Sequence, residues 1–354
     1  MRIVCGMSGG VDSSLAACLL QEAGHEVVGI TMKLWPCAEE DGGFTRPDAC
    51  CSPTETIDAR GVAVGRGVRH YVLDLEREFA TAVVQRFTDE YARGRTPNPC
   101  IRCNEDIKFG QLWTHARRLG AERVATGHYA RASRFGDRWL LQTAADTDKD
   151  QTYFLFSLTQ EQLAHAEFPV GHLTKDEVRA ESRRRGLATA DKPESQDICF
   201  VGDSAADFLR RERPDAFRPG PIRHIDGREV GRHDGLPAFT IGQRKGLGVA
   251  WNEPLYVVAI DPAENAVVVG ERPHLLTDHL ALTDCTWHLG QVPTGPIRAR
   301  LRHRGTLHQA TIASGDDGRA TIRFAEPVQR TAPGQACVVY DPTARTCLGG
   351  GWVA

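Results

Sequence analysis

The chain has 354 residues, which is enough for two or three domains and a sizeable buried core. Hydrophobic residues make up 41% and charged residues 25%, which excludes a mainly disordered chain. The formal net charge is −3, so local basic patches must hold any polyanionic partner. No apolar run approaches the roughly 20 residues of a membrane span, and the sequence opens without a signal-peptide pattern. These features predict a cytoplasmic protein.

The first part of the chain alternates strand and helix patterns. Strands are predicted over 3–7, 26–32, 70–74 and 123–126, and helices over 13–23, 53–66 and 112–119. This alternation predicts an α/β domain, built on a parallel sheet with helices on both faces, over residues 1–200.

The pattern changes near residue 200 to short β-branched runs separated by Gly, Pro and Asp. Asp226-Gly227, between runs at 222–225 and 229–231, predicts a hairpin. Further strands are predicted over 255–261, 266–270, 297–301, 309–313, 319–324 and 336–340. We therefore predict a connector over 210–221, a small central β domain over 201–273 and a C-terminal barrel or sandwich over 274–354.

The sharpest motif is the string SGGVDSS at residues 8–14, between the first strand and the first helix. Gly9 and Gly10 let the backbone approach an anion closely, and the following helix presents unpaired N–H groups and a partial positive charge. Asp12 can hold Mg²⁺ or cap the helix. The string lacks the lysine of a P-loop kinase. It resembles the pyrophosphate-binding loop of the N-type ATP pyrophosphatases, which cleave ATP between its α and β phosphates and adenylate an acceptor oxygen.

Five of the eleven cysteines lie in polar, turn-rich contexts: Cys50, Cys51, Cys100, Cys103 and Cys199. Cys100 and Cys103 belong to TPNPCIRCN at 96–104, where two prolines stiffen the segment, and Cys199 belongs to KPESQDICFV at 192–201. A thiolate is the reactive form of cysteine, and Arg102 is a nearby cation in sequence. Cys103 and Cys199 can meet only through the fold. The Cys50-Cys51 pair is interpreted as structural or incidental.

Taken together, the motifs resemble the tRNA-specific 2-thiouridylase family. The strings SGGVDSS, TPNPCIRCN, IKF, ATGHYAR, DKDQTYFL, KPESQDICFV, FTIGQRKGLG and PGQ…CLGGG occur in that family's order, from residue 6 to residue 351. The resemblance implies that ATP adenylates the C2 oxygen of the wobble uridine of tRNA. Sulfur from a cysteine persulfide then displaces AMP, after pyrophosphate has left.

The resemblance also implies roles for individual residues. Cys103 matches the nucleophile and Cys199 the persulfide-bearing cysteine. The ATP site is matched by Gly6, Met7, Ser8, Gly9, Gly10, Val11, Asp12 and Ser13, with Met32 and Gly127 beside the adenine and ribose. The tRNA contacts are matched by Asn98, Pro99, Cys100, His128, Lys149, Asp150, Gln151, Arg302, His303 and Gln335. ATP and Mg²⁺ are the implied cofactors. tRNA and a persulfide sulfur-donor protein are the implied partners, with neither a membrane nor DNA.

Cys100 departs from the pattern, because many members of the family have Asp, a proposed general acid or base, at this position. Cys100 is then either an auxiliary thiol beside a persulfide relay or, with Cys103 and Cys199, a ligand of an iron–sulfur cluster with one open iron. A zinc site is the third alternative, and it requires a fourth ligand.

Basic residues supply candidate RNA contacts. Arg298, Arg300 and Arg302 recur at strand spacing and are predicted to share one face, which suits phosphate contacts. The glycine-rich basic segment 239–248 is predicted to be a loop near RNA. Two other functions remain open: an amide-forming ATP pyrophosphatase, which needs no cysteine, and a non-catalytic RNA-binding module that keeps an ATP loop.

Overall fold

The amino-terminal region contains the predicted parallel sheet. The computed structural model describes residues 1–36, 53–194, 198–202 and 204–354, so Cys50-Cys51 and part of the KPESQDICFV string lie outside the described residues. The strands of this region are β1 (Arg2–Gly6), β2 (Glu26–Lys33), β3 (Arg69–Asp74), β4 (Arg123–Ala125), β5 (Ala130–Phe135), β6 (Arg138–Thr143) and β7 (Ala166–Glu167). Five of them form one sheet in the order β3-β2-β1-β4-β7, all in parallel.

Helices cover this sheet and connect its strands. They are α1 (Val11–Glu22), α2 (Pro53–Gly65), α3 (Glu76–Phe79), α4 (Arg86–Ala92), α5 (Pro99–Arg102), α6 (Leu112–Arg118), α7 (Gln160–His165), α8 (Lys175–Arg184) and α9 (Ala205–Glu212). Two π-helical stretches, Ala80–Gln85 and Cys103–Gln111, join α3 to α4 and α5 to α6. The predicted connector over 210–221 is wrong at its start, because α9 continues to Glu212.

Both faces of the sheet are buried, as a parallel sheet requires. Ile3 and Cys5 point into the cluster that includes Leu15 of α1. Val4 points to the opposite face and belongs to a cluster that extends to Trp352 near the end of the chain. The alternating direction of side chains along β1 therefore connects the sheet to two cores.

The central region forms a four-stranded sheet in the order β10-β11-β8-β9. Its strands are β8 (Gly220–His224), β9 (Glu229–His233), β10 (Tyr256–Asp261) and β11 (Ala266–Gly270). The predicted hairpin is confirmed: β8 and β9 pair in antiparallel fashion, and Gly227 between them adopts a φ of 92°. Glycine suits this position because it enters the left-handed region without a Cβ penalty.

The last region is a closed six-stranded antiparallel barrel, which settles the choice between barrel and sandwich. Its strands are β12 (Leu276–Trp287), β13 (Pro296–Arg300), β14 (Leu307–Ser314), β15 (Ala320–Gln329), β16 (Ala336–Tyr340) and β17 (Thr346–Val353). Closure occurs because β12 pairs with both β15 and β17.

The barrel is continuous with the amino-terminal region. Strand β17 also pairs with β6, through Cys347 opposite Leu141, so the sheet extends into the β5–β6 hairpin. The buried hydroxyl of Tyr153 donates to the carbonyl of Ala336 at 3.1 Å. The barrel therefore shares hydrogen bonds and a core with the domain that carries the glycine-rich loop.

The prediction that three arginines share one face of a strand is wrong for Arg302. Strand β13 ends at Arg300, and Arg302 lies beyond it, exposed. Arg300 instead points inward, where its guanidinium lies 5.3 Å from the ring centroid of Tyr340. Within the described ranges, no helix has both the length and the apolar character needed to cross a bilayer.

Candidate active site

The loop between β1 and α1 is held by its own hydroxyl groups. The backbone N–H of Ser8 donates to the Oγ of Ser13 at 3.1 Å, and the hydroxyls of Ser13 and Ser14 donate to the carbonyl of Gly10 at 3.2 and 2.9 Å. Gly9 adopts a φ of 76°. This geometry presents the amino end of α1, a helix of 12 residues, to the carboxyl edge of the sheet. Such an end binds anions through its unpaired N–H groups.

Two glycines let other segments approach this loop closely. A Cβ on Gly9 would collide with the backbone carbonyl of Glu55. A Cβ on Gly127 would lie 2.6 Å from the backbone nitrogen of Ser13, at the amino end of α1. Both positions leave no room for a side chain. The structure thus places Gly127, predicted to lie beside the nucleotide, directly against the predicted pyrophosphate loop.

Asp12 lies at the centre of a charged network beside the loop. Its carboxylate accepts hydrogen bonds from Lys175 Nζ at 2.8 and 2.9 Å and from the Tyr129 hydroxyl at 2.7 Å. Lys175 also pairs with Glu194 at 2.7 Å, and Glu194 receives Lys149 at 2.8 Å. Burial opposes ionisation of Glu194, yet hydrogen bonds from the two lysines lower its pKa to about 2.

A second lysine lies on the other side of the loop. Lys192 Nζ lies 3.4 Å from the carbonyl of Gly9 and 2.7 Å from Glu55, and it also pairs with Asp58. Burial opposes protonation of Lys192, but Asp58 and Glu55 raise its pKa. The loop therefore has a lysine on each side, and each lysine is paired with two carboxylates.

Sequence reasoning gave no role to these flanking groups. Lys192 and Glu194 belong to the KPESQDICFV string, so their proximity to a predicted functional cysteine was the available signal. Lys175 and Tyr129 carry no comparable pattern, because only the packing of α8 and the start of the β5–β6 hairpin against α1 brings them to Asp12.

Asp12 carries carboxylate oxygens, the ligand type that Mg²⁺ prefers, and here both oxygens accept hydrogen bonds from Lys175, which the ion would have to replace. The iron–sulfur and zinc alternatives find no such support. Across the part of the chain that the structure describes, no group of three or more His, Cys, Asp and Glu side chains is placed to hold a metal ion. Cys100, Cys103 and Cys199 are all within that part.

Cys103 and Cys199 meet at one apolar cluster. Cys103 is 8% exposed and belongs to the cluster formed with Phe79, Phe87 and Phe200, and Cys199 packs against the same cluster. The fold therefore places two residues that are far apart in sequence at the same apolar cluster. Cys103 is also the first residue of the π-helical stretch, an irregularity that often occurs at functional sites.

Met32 connects the cysteine cluster to the glycine-rich loop. Its side chain packs against the cluster of Cys103, and its Cε lies 3.8 Å from the position that a Cβ on Gly6 would occupy. Met7 continues from β1 beside it, its N–H donating to the carbonyl of Ile30 at 2.8 Å. Met32 thus packs against the cysteine cluster and approaches Gly6, two residues before the glycine-rich loop.

The segment that leads to Cys103 is partly helical, whereas the sequence suggested a proline-stiffened loop. Helix α5 begins at Pro99, and proline suits the first helical position because no N–H partner is lost there. The barrel holds the preceding residues. The Thr96 N–H donates to the carbonyl of Pro333 at 2.8 Å, and the Gln335 amide donates to the carbonyl of Thr96 at 2.7 Å.

A cavity of about 70 Å³ lies between this segment and the barrel. It is lined by Asn98, Pro99 and Arg102 of the segment, Arg86 of α4 and Trp352 of the barrel, among others. The Arg102 guanidinium lies 4.3 Å from the centroid of the Trp352 ring and 2.9 Å from Glu105. The next residue, Asp106, is half-buried, and its pKa is raised by burial and by Glu105.

The other predicted tRNA contacts differ in exposure. Arg302 is exposed and lies beside Gly242 of the glycine-rich basic segment 239–248. His303 is half-buried, with its ring 4.4 Å from that of Phe154, and burial together with Arg304 lowers its pKa to about 4. Lys149 is half-buried in its ion pair with Glu194.

Three predicted tRNA contacts face inward. The His128 ring nitrogen Nδ1 lies 2.7 Å from the Thr126 hydroxyl, and burial keeps its pKa well below the usual value. The Asp150 carboxylate, 3% exposed, accepts from the Thr152 hydroxyl at 2.7 Å. Gln151 accepts from the backbone of Tyr129 at 2.8 Å. In this conformation these side chains support the site from within, and their contact with RNA stays a prediction.

Comparison with known proteins defines the class first. Residues 1–203 match a family profile described as a tRNA methyl transferase HUP domain, residues 206–271 match the corresponding PRC-barrel domain, and residues 277–353 match an aminomethyltransferase beta-barrel domain. These three assignments agree with the parallel sheet, the central sheet and the closed barrel. The chain is thus a HUP-domain protein with two appended β domains.

Curated relatives identify the family. A protein of Roseiflexus sp. (strain RS-1) named tRNA-specific 2-thiouridylase MnmA is 46% identical, over 100% of this chain and 99% of its own length. A protein of the same name from Maricaulis maris is 46% identical, over 99% of this chain and 87% of its own length. The chain belongs to the tRNA-specific 2-thiouridylase family.

Solved structures include a more distant neighbour. A 4-thiouridine synthetase–RNA complex with bound ATP has a TM-score of 0.37 and 15% identity, covering 60% of this chain and 50% of its own.

Proposed function

We propose that this protein replaces the C2 oxygen of the wobble uridine of tRNA by sulfur, using ATP to activate the oxygen. The observation that carries the proposal is that Met32 packs against the apolar cluster of Cys103 and Cys199 and also approaches Gly6, at the end of the strand that leads into the glycine-rich loop. A reaction of this kind needs a nucleotide and a thiol within reach of one base, and this packing supports such an arrangement.

The nucleotide half of the reaction rests on residues 8–14. The unpaired N–H groups at the amino end of α1 and the hydroxyls of Ser8 and Ser13 bind the pyrophosphate of ATP. Lys175 and Lys192 lie on either side of the loop and would donate to the phosphates by exchanging one of their carboxylate partners. Mg²⁺, held by Asp12, supplies further neutralisation of phosphate charge when bound. The C2 oxygen attacks the α phosphorus, pyrophosphate leaves, and the uridine carries AMP on oxygen.

The sulfur half rests on Cys199 and Cys103. The terminal sulfur of a Cys199 persulfide attacks C2, and AMP leaves with the former C2 oxygen. The Cys103 thiolate then attacks the Cys199 sulfur, which breaks the S–S bond to the base, leaves a thiocarbonyl at C2 and forms a Cys103–Cys199 disulfide. An external thiol reductant returns both cysteines to the reduced form. The shared apolar cluster supports this assignment, because both side chains already pack there.

The partners follow from this chemistry. The substrate is a tRNA whose wobble base leaves its stack, which is least costly in a single-stranded loop. Asn98, Pro99 and Cys100 meet that base, and Lys149, Arg302, His303 and Gln335 contact the surrounding RNA. A persulfide-bearing protein supplies sulfur to Cys199. We expect the reaction to take place in the cytoplasm, where both reducing thiols and tRNA are present.

The test is mass analysis of nucleosides after incubation of unmodified tRNA with the protein, ATP and a persulfide donor. We expect 2-thiouridine at the wobble position with wild type, and none with Cys103→Ser or Cys199→Ser. Cys337→Ser, a buried barrel cysteine, is the matched control and should retain activity. Full 2-thiouridine formation by both Cys103→Ser and Cys199→Ser would contradict the relay. Absence of 2-thiouridine with wild type, together with ATP cleavage that both variants retain, would favour an ATP pyrophosphatase that needs no thiol.

A further inference from the structure

One interdomain contact lies directly beside the predicted nucleophile. Arg102, the residue before Cys103, stacks on Trp352, the penultimate residue of β17. The guanidinium lies 4.3 Å from the ring centroid, and its Nη1 lies 2.9 Å from a carboxylate oxygen of Glu105. Only 14% of the Arg102 side chain is exposed. A guanidinium that is removed from water interacts strongly with an aromatic face, so this pair fixes the orientation of Arg102.

The barrel also fixes the residues before Arg102. The Arg95 guanidinium donates to the carbonyl of Val353 at 3.2 Å, one residue after Trp352. The loop over 333–335 holds Thr96 from both its N–H and its carbonyl. Gly334 adopts a φ of 87°, and a Cβ at this position would lie 3.3 Å from the backbone of Thr96, so the loop packs closely against the segment. The barrel therefore contacts the segment at several points along the chain that leads to the nucleophile.

We infer that Trp352 is a positioning residue for the reaction, which through Arg102 sets the orientation of the helical turn carrying Cys103. The inference rests on the proposed function. Arg102 and Cys103 are consecutive residues of one continuous helical segment, in which α5 passes into the π-helical stretch. A helical turn is stiff, so holding the long Arg102 side chain against Trp352 of the barrel limits rotation of the turn about its axis. The barrel then has a second role besides contacting RNA.

The consequence is kinetic. A small misplacement of a reacting group lowers the chemical rate much more than it lowers substrate binding. Loss of the stacking contact should therefore reduce kcat while the KM values for tRNA and ATP stay close to wild type. If Arg102 bound the RNA backbone instead, Arg102→Gln would show the opposite split: the KM for tRNA would rise and depend less on salt than in wild type, while kcat would stay unchanged.

The experiment measures thiolation by Arg102→Gln, Trp352→Leu, the double variant and Trp352→Phe. We expect each of Arg102→Gln and Trp352→Leu to lower kcat about tenfold, with KM values within about twofold of wild type. The kcat of the double variant should lie within about twofold of that of the slower single variant, because the two residues act as one unit. Trp352→Phe keeps an aromatic face and should retain most of the activity.

The chain offers a matched control pair. Arg123 stacks on Trp139 with its guanidinium 5.4 Å from the ring centroid, and it pairs with Glu167 at 2.8 Å. Arg123 is the first residue of β4, at the amino end of the strand and hence at the opposite edge of the sheet from the glycine-rich loop. Arg123→Gln should leave kcat within about twofold of wild type, because neither of the two cysteines is next to Arg123 in the chain.

The outcomes separate this inference from the proposed function. A wild-type protein that forms no 2-thiouridine contradicts the proposed function itself. An active wild type with an unchanged kcat in Arg102→Gln, or with a raised tRNA KM and an unchanged kcat, overturns the positioning role alone. An equal loss of kcat in Arg123→Gln also overturns it. If Trp352→Leu does not fold, Arg102→Gln alone still tests the positioning role. The Arg102 side chain lines a cavity and not the hydrophobic core, so we expect Arg102→Gln to fold.

Discussion

The glycine-rich loop and the segment before Cys103 form two halves of one site, yet they are held in different ways. The loop is fixed by hydroxyls within its own residues 8–14 and by glycines that allow close packing. The segment over 95–102 is fixed mainly from outside, by the barrel through Gln335, Pro333 and Trp352. The conformation of the loop is thus set mainly by its own residues, with Glu55, Gly127 and Lys175 packed against it. The sulfur half depends on regions more than two hundred residues away in sequence.

The largest effect that would test this contrast is expected at Gly127. In Gly127→Ala the new methyl group would lie 2.6 Å from the Ser13 nitrogen and would displace the amino end of α1. We expect ATP-dependent pyrophosphate release to fall by about a hundredfold or more, because the phosphate-binding N–H groups would move. The measurement is the initial rate of pyrophosphate formation with tRNA present.

Gly61→Ala is the matched control for that substitution. Gly61 is exposed within α2, and a Cβ there meets no atom within 4 Å. We expect unchanged activity and a gain in the free energy of unfolding of up to about 1 kcal/mol, since alanine favours helix over glycine. Normal pyrophosphate release by Gly127→Ala would show that the loop tolerates displacement and is less rigid than its contacts indicate.

The next effect concerns the charges beside the loop. Lys175→Met removes the cation that lies between Asp12 and Glu194, and the Lys175 side chain is only 9% exposed. We expect the free energy of unfolding to fall by about 2–3 kcal/mol, because two partly buried carboxylates would lose their shared partner. Chemical denaturation measures this loss, and calorimetric titration should show weaker ATP binding.

Lys149→Met provides the comparison for Lys175→Met. Lys149 pairs with Glu194 and is 28% exposed, so we expect a loss below about 1 kcal/mol. Equal destabilisation by the two variants would mean that Glu194, and not Asp12, dominates the network.

A smaller effect is expected on the sulfur half. Gln335→Ala removes an amide that donates to the carbonyls of Thr96 and Pro97 at 2.7 and 3.4 Å. We expect a loss of about 1 kcal/mol in the free energy of unfolding and a reduced thiolation rate with normal ATP-dependent chemistry at the loop. Gln309→Ala, an exposed barrel glutamine, should change neither quantity. A Gln335→Ala enzyme with wild-type thiolation would indicate that the other barrel contacts suffice.

The smallest effect is an acid dependence of stability. The pKa of Glu194 is lowered to about 2 in the folded protein, against burial, by Lys149 and Lys175. Its contribution to stability is fully present above the unfolded pKa, near 4.3, and is lost as the pH falls toward 2. Glu194→Gln should therefore show a shallower loss of stability between about pH 5 and pH 2 than wild type. If the free energy of unfolding, measured by urea denaturation at each pH, fell equally with pH in wild type and Glu194→Gln, this contribution would be excluded.

Local patterns in the sequence predict the first half of the site better than the second. The string at residues 8–14 is contiguous, so a strand, a turn and a helix follow from neighbouring residues, and the structure has them. The hairpin at Asp226-Gly227 is a similar case. Family resemblance added the link between Cys103 and Cys199, which local pattern alone does not provide.

The contacts that sequence reasoning missed all join distant segments. Lys175 reaches Asp12, and Trp352 reaches Arg102, only because tertiary packing brings separate elements together. The alternation of Arg298, Arg300 and Arg302 was misleading for a related reason. Strand β13 ends at Arg300, where the chain turns toward β14, and no residue in the alternating pattern signals that end.

The central claim is that ATP activates the C2 oxygen and that this oxygen departs with AMP. The most direct measurement uses tRNA labelled with ¹⁸O at C2 of the wobble uridine, followed by mass analysis of all products after thiolation. If ATP activates the C2 oxygen, we expect AMP to gain one ¹⁸O atom for each 2-thiouridine formed and pyrophosphate to gain none. Recovery of the label in pyrophosphate or in water, with unlabelled AMP, would contradict it.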